Sequence, residues 1–272
     1  MKRVAVMQDL SCLGKCSLSV ILPVISAMGV SCSVLPTAVL STHTAFPGPV
    51  VEDLTDFAGK TVGHWASLGA EFDSILTGYL ASPGQAALAL ELHRRFDRGD
   101  TDLIVDPVMG DHGRLYSGIT PEMAGAMKTL CSKATLILPN ITEAALLTGM
   151  EYREQADEGY CRELAKELWK LGCGSVMIKG LEPEPGKIGF YWSDGSEEFC
   201  HTARKLPRSC HGTGDLFAAV VTGGVMRGIS PAEAGILAGE FVRRSIAGTQ
   251  EDSRWGVAFE PELGWLAGSV RK

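Results

Sequence analysis

No stretch of this chain reaches the 18 or so unbroken apolar residues that a membrane helix needs. No Cys-x-x-Cys pair occurs among its eight cysteines, and none stands at zinc-ligand spacing from a histidine. No lysine followed by serine or threonine closes a glycine-rich loop, so there is no Walker A motif. Positive charge is not in excess either. The formal net charge is −7, and the basic residues are scattered. Arg243-Arg244, the densest short pair near a helix, reads as a solvated face. Bulk electrostatics therefore give a nucleic-acid partner no support. The opening Lys2-Arg3 and its apolar run are broken at Gln8-Asp9, too early for a secretory signal core. These absences lead to the expectation of a cytoplasmic protein that works with neither membrane nor nucleic acid. Its cysteines read as reduced, small core residues. Cys210 stands out only because it abuts a glycine motif.

What the chain does have is 272 residues, 45% hydrophobic and 21% charged, enough for one sizeable core. The expectation is one large domain over 1–272. Short apolar runs alternate with helical patterns. Strands are expected over 4–7, 33–40, 74–77, 103–105, 135–138 and 175–178. Helices are expected over 18–28, 52–68, 85–96, 122–130, 143–147 and 159–171. Ser82-Pro83, Thr120-Pro121 and Ser230-Pro231 read as helix starts, a capping hydroxyl followed by a proline whose missing N–H is not needed in the first turn. The alternation predicts a mostly parallel sheet covered by helices on both faces. The exception is 188–203, which reads as an antiparallel hairpin around Asp194-Gly195 at the sheet edge.

The chemistry-bearing stretch is Gly212-Thr213-Gly214-Asp215, leading into a small apolar helix. Glycines at a helix start allow a sharp turn and close approach to a ligand. The first N–H groups of a helix lack internal partners and carry partial positive charge, which suits phosphate. An acid there can take a proton from an attacking hydroxyl. The bland alternative is a loosened turn with Asp215 as a plain N-cap. Polar groups also collect past the ends of several strands: Asp106 to Asp111, Asn140 to Glu143, and Lys179-Gly180. Ligands of open parallel α/β sheets bind at such ends. Asp106, Asp111, Asn140 and Glu143 are oxygen donors of the kind magnesium prefers, directly or through water.

With these residues assembled, the chain resembles the ribokinase-like superfamily, and within it the pyridoxal (pyridoxine/pyridoxamine) kinases. The likeness runs through Ser41-Thr42-His43-Thr44, Leu76-Thr77-Gly78-Tyr79, Asp106-Pro107-Val108-Met109-Gly110-Asp111, Pro139-Asn140-Ile141-Thr142-Glu143 and Gly212-Thr213-Gly214-Asp215. It implies a three-layer α/β sandwich that phosphorylates the 5′-hydroxymethyl group of a B6 vitamer with ATP and magnesium, assisted by a monovalent cation such as potassium, in a homodimer. By this resemblance Asp215 is the base, and Gly212, Thr213 and Gly214 form the anion hole. Ser11, His43, Thr44 and Tyr79 face the substrate. Asp106, Asp111, Tyr116, Asn140, Glu143, Lys179 and Gly180 lie on the nucleotide side, with Asp106 and Glu143 nearest the metal. His43, Tyr79 and Lys179 each also have a purely structural reading. The loop 8–16 departs from the family pattern, because no serine-histidine pair follows Gln8. The lid-like segment 110–117 is unusually charged. A hydroxymethylpyrimidine kinase and a non-catalytic vitamer-binding protein remain the rival readings.

Overall fold

The structure is a computed structural model that describes residues 1–116, 118–250 and 252–270; Ser117, in the expected lid, lies outside them. In chain order the first elements are β1 (Arg3–Ser11), α1 (Leu18–Ala27), β2 (Ser31–Leu40), β3 (Val51–Asp53), α2 (Thr55–Ser67), β4 (Ser74–Thr77) and α3 (Pro83–Phe96). Then come β5 (Asp102–Val105), β6 (Gly110–Asp111), β7 (Arg114–Leu115), α4 (Pro121–Cys131), β8 (Leu136–Ile137), α5 (Ile141–Thr148) and α6 (Glu158–Trp169). The last are β9 (Ser175–Leu181), β10 (Lys187–Ser193), β11 (Glu198–Arg204), α7 (Thr213–Met226), α8 (Pro231–Gly248) and α9 (Leu263–Ser269). Contacts gather these into two compact units, one of residues 1–78, 96–101 and 206–272, the other of 79–95 and 102–205.

In the first unit β1 runs parallel to both β2 and β4, and β3 closes the β2 edge antiparallel. Val4, Ala5, Val6 and Met7 are wholly buried, as strands covered on both faces must be. The helix expected over 52–68 starts only at Thr55. Glu52 pairs with Val39 and Asp53 with Ala38 instead, because the outer edge of β2 offers main-chain partners and a short charged strand blunts that edge. In the second unit β5, β8 and β9 are parallel, while β10 and β11 are antiparallel. That is the hairpin expected from Asp194-Gly195. Asp194 Oδ1 accepts the N–H groups of Ser196 and Glu197, and Gly195 supplies φ +91°.

The proline-marked helix starts hold. Thr120 Oγ1 accepts from Met123 N at 3.3 Å, and Ser230 forms a reciprocal capping box with Glu233. Lys179 and Gly180 lie inside β9 rather than beyond it. Phe190 pairs with Lys179 and Gly189 with Leu181, so Gly180 is the extra residue of a bulge and takes φ +81°. Among the described residues no helix is long and apolar enough to cross a membrane.

Candidate active site

Asp215 is the third residue of α7, and Gly212, at φ +83°, is the N-cap. The plain-cap reading of Asp215 therefore fails. A Cβ on Gly212 would lie 2.2 Å from the Lys15 carbonyl oxygen, so only glycine fits this close approach. Thr213 Oγ1 donates back to Cys210 O at 3.3 Å, closing the turn. The carboxylate of Asp215 ties α7 to the β1–α1 segment. Oδ1 accepts from Gln8 Nε2 at 2.7 Å, and Oδ2 accepts from Ser17 N at 2.8 Å. Ser17 reaches that position with φ +56°, rare for a non-glycine residue and a sign that the surroundings hold it there.

Sequence reasoning missed Gln8, Asp9 and Ser17. It placed a loop at Gln8, yet β1 continues to Ser11 through a register shift between Gln8 and Leu10. The irregularity turns Gln8 and Asp9 both inward, 1% and 4% exposed. Burial pushes the Asp9 carboxyl up to about 6; the Ser17 side chain opposes the rise and the charge of Asp215 adds to it. Ser11 is buried, donates to Asp9 Oδ2 at 3.5 Å and accepts from Cys16 Sγ at 3.4 Å. Burial, then Asp215, pushes the Cys16 thiol up to about 12, so Cys16 is a neutral neighbour.

His43 is buried, and both ring nitrogens meet main chain: Nε2 lies 2.8 Å from Arg254 O, and Nδ1 accepts from Ala45 N at 3.3 Å. Burial lowers its pKa, which keeps the ring neutral. Its face packs on Phe46 at 4.9 Å and on His211 at 5.1 Å, and Phe46 packs on Trp255 at 4.8 Å. An aromatic cluster thus borders the residue before Gly212. Thr44 is exposed and Tyr79 half-buried.

In the second unit Lys179 Nζ donates to both oxygens of Asp106, at 2.8 and 2.9 Å. Asn140 caps α5, and Glu143 completes a capping box. Glu143 Oε2 accepts from Asn140 N at 2.8 Å, and Oε1 accepts from Met109 N at 3.2 Å. Burial, then the charge of Asp106, pushes the Glu143 carboxyl up to about 8, against the pull of Lys179 and the two N–H groups. Asn140 Nδ2 donates to Gly110 O at 2.9 Å, and Gly113 N donates to Thr142 Oγ1 at 2.9 Å. The cap of α5 therefore anchors the β6–β7 hairpin, which presents Asp111 and, just beyond it, exposed Tyr116. The oxygens of Asp106 and Glu143 are engaged by protein donors, and no group of three acidic, histidine or cysteine side chains fit for direct ligation occurs among the described residues.

A carboxylate held beside a glycine-led helix start, on largely parallel strands, defines the class: an α/β fold built for phosphoryl transfer. The chain belongs to the phosphomethylpyrimidine kinase family, whose pattern matches residues 23–258. Its fold is that of a Bacteroides thetaiotaomicron protein described as a "putative phosphomethylpyrimidine kinase". The rhombohedral form of that protein is 37% identical over 97% of this chain and 93% of that one, with a TM-score of 0.93. The orthorhombic form, solved with pyridoxal, is 34% identical over 100% and 96%, with a TM-score of 0.91. Pyridoxal kinase from Lactobacillus plantarum is 33% identical over 99% and 98%, with a TM-score of 0.91. The hydroxymethylpyrimidine/phosphomethylpyrimidine kinase of Bacillus subtilis is 33% identical over 65% of this chain, which spans 64% of that relative. The ribokinase-like fold expected from the motifs is thereby established, with its antiparallel hairpin.

Proposed function

We propose that residues 1–272 act as one kinase domain that transfers the γ-phosphoryl group of ATP to the 5′-hydroxymethyl group of a B6 vitamer. The observation that carries this reading is the Asp215 carboxylate, fixed by Gln8 Nε2 and Ser17 N at the first turn of α7. Asp215 takes the proton of the attacking hydroxyl. The N–H groups of 212–214 stabilise charge on the transferred group. The aromatic faces of His43 and His211, with Thr44, Ser11 and Tyr79, hold the ring. Lys179, Asn140, Asp111, Tyr116 and Gly180 hold the nucleotide, and Asp106 and Glu143 meet magnesium through its water. Potassium assistance, a homodimer and a cytoplasmic site of action belong to the same reading. The eight free thiols are consistent with the last of these.

A second reading is a hydroxymethylpyrimidine kinase, favoured by the family match and by the Bacillus subtilis relative. Product analysis by phosphorus NMR tests the first. A phosphate monoester on the 5′ carbon of a vitamer is expected; ester formation on hydroxymethylpyrimidine alone would transfer the site to the second reading.

Gly78 gives an independent check on Asp215. A Cβ there would lie 2.3 Å from Gln8 Cδ. The Gln8 amide is the far end of a flexible side chain, so it gives way before the backbone does. Gly78→Ala is expected to lower kcat roughly 10- to 100-fold by misaligning the base, with a melting temperature lowered by no more than about 2–6 °C for the displaced hydrogen bond. Unchanged kcat would show that Gln8 does not position Asp215.

A further inference from the structure

Two buried acceptors beside Asp215 have no donor. Asp9 Oδ1 and Gln8 Oε1 find no hydrogen-bond partner among the described residues, and their side chains are all but fully buried. Neither oxygen can donate when Asp9 is ionised, so each needs a donor from elsewhere. Native interiors rarely leave such groups unmade.

Their position ties them to the base. Gln8 uses its Nε2 on Asp215 Oδ1 at 2.7 Å, which places Oε1 one amide's width away. Asp9 reaches the other side of Asp215 through the Cys16-Ser17 turn. The Ser17 N–H goes to Asp215 Oδ2, while Cys16 Sγ donates to Ser11 Oγ, which donates to Asp9 Oδ2. The orphan acceptors therefore flank the place where a reacting hydroxyl meets Asp215. Among the described residues no basic side chain is paired with Asp9.

Resting on the vitamer-kinase reading, we propose that Asp9, with Gln8 Oε1, is a specificity-determining group that accepts hydrogen bonds from the substituent next to the reacting hydroxymethyl group. The three vitamers differ at that substituent. Pyridoxamine carries an ammonium and pyridoxine a hydroxyl, both donors. Pyridoxal carries a carbonyl, which only accepts and faces two acceptors. The enzyme accordingly favours pyridoxamine, then pyridoxine, over pyridoxal. A site built around a donor rejects an analogue that lacks it, because its own buried groups are left unpaired.

The test is kcat/KM for the three vitamers with the wild type, Asp9→Asn and Asp9→Ala, with melting temperatures alongside. Asp9→Asn keeps the shape, removes the charge and adds a donor. Pyridoxamine should lose about 10- to 100-fold in kcat/KM, mostly through KM. Pyridoxal should stay within about threefold or improve. Equal losses on both vitamers, or no loss on either in a folded variant, would overturn the inference and mark Asp9 as structural. If Asp9→Ala does not fold, Asp9→Asn carries the result alone. Failure of the parent reading looks different: the wild type itself turns over no vitamer, and this inference falls with it.

Discussion

Asp215→Ala is expected to lower kcat for vitamer phosphorylation by roughly 10²- to 10⁴-fold, the usual range for a positioned general base. The vitamer and nucleotide should still bind with affinities within about threefold, because Asp215 is asked to act on the proton in flight and not on the ground state. The variant leaves Gln8 Nε2 and Ser17 N without their acceptor. Some stability loss, about 1–3 kcal/mol, is expected from those donors. It is separable from catalysis by measuring rates well below the melting transition. A kcat within threefold of the wild type would remove Asp215 from the chemistry.

The second large effect is on stability. Asp106 and Lys179 have side chains only 5% and 13% exposed, and Glu143 lies buried beside them. Lys179→Met removes the ammonium that donates to both Asp106 oxygens, beside the buried Glu143. Breaking a buried pair from one side costs about 3–5 kcal/mol. At about 2 °C per kcal/mol for a chain of this length, the melting temperature should fall by roughly 6–10 °C. Asp106→Asn on top of Lys179→Met should restore a good part, since it removes the stranded charge. A drop of under about 1 kcal/mol, or a double variant no better than the single, would show that the pair is not coupled.

The local signals that the sequence shows most clearly are those set by one or two residues. Ser230-Pro231 and Thr120-Pro121 start helices because a hydroxyl accepts an N–H three residues on. Asp194-Gly195 turns a hairpin because one side chain and one left-handed glycine satisfy it locally. Asn140-x-x-Glu143 also carries a readable signal, the capping box. The strand β3 was illegible because Val51–Asp53 has no period to detect, and its pairing comes from a distant edge. Gln8 and Asp9 were illegible for a different reason. Polar residues at a strand end look like a loop, and only the register shift against β2 turns both inward. His43 was visible as a site residue, but its structural alternative agrees with the geometry: its nitrogens serve the main chain, leaving the ring face for a ligand.

The central claim is that a vitamer, and not a pyrimidine, is the acceptor at Asp215. The most direct measurement is the initial rate of ADP formation by the wild type with pyridoxal, pyridoxine, pyridoxamine and hydroxymethylpyrimidine, each alone with magnesium and ATP. Turnover of a vitamer with kcat/KM at least tenfold above that for hydroxymethylpyrimidine is the expected result. Turnover of hydroxymethylpyrimidine alone, or of none of the four, would contradict it.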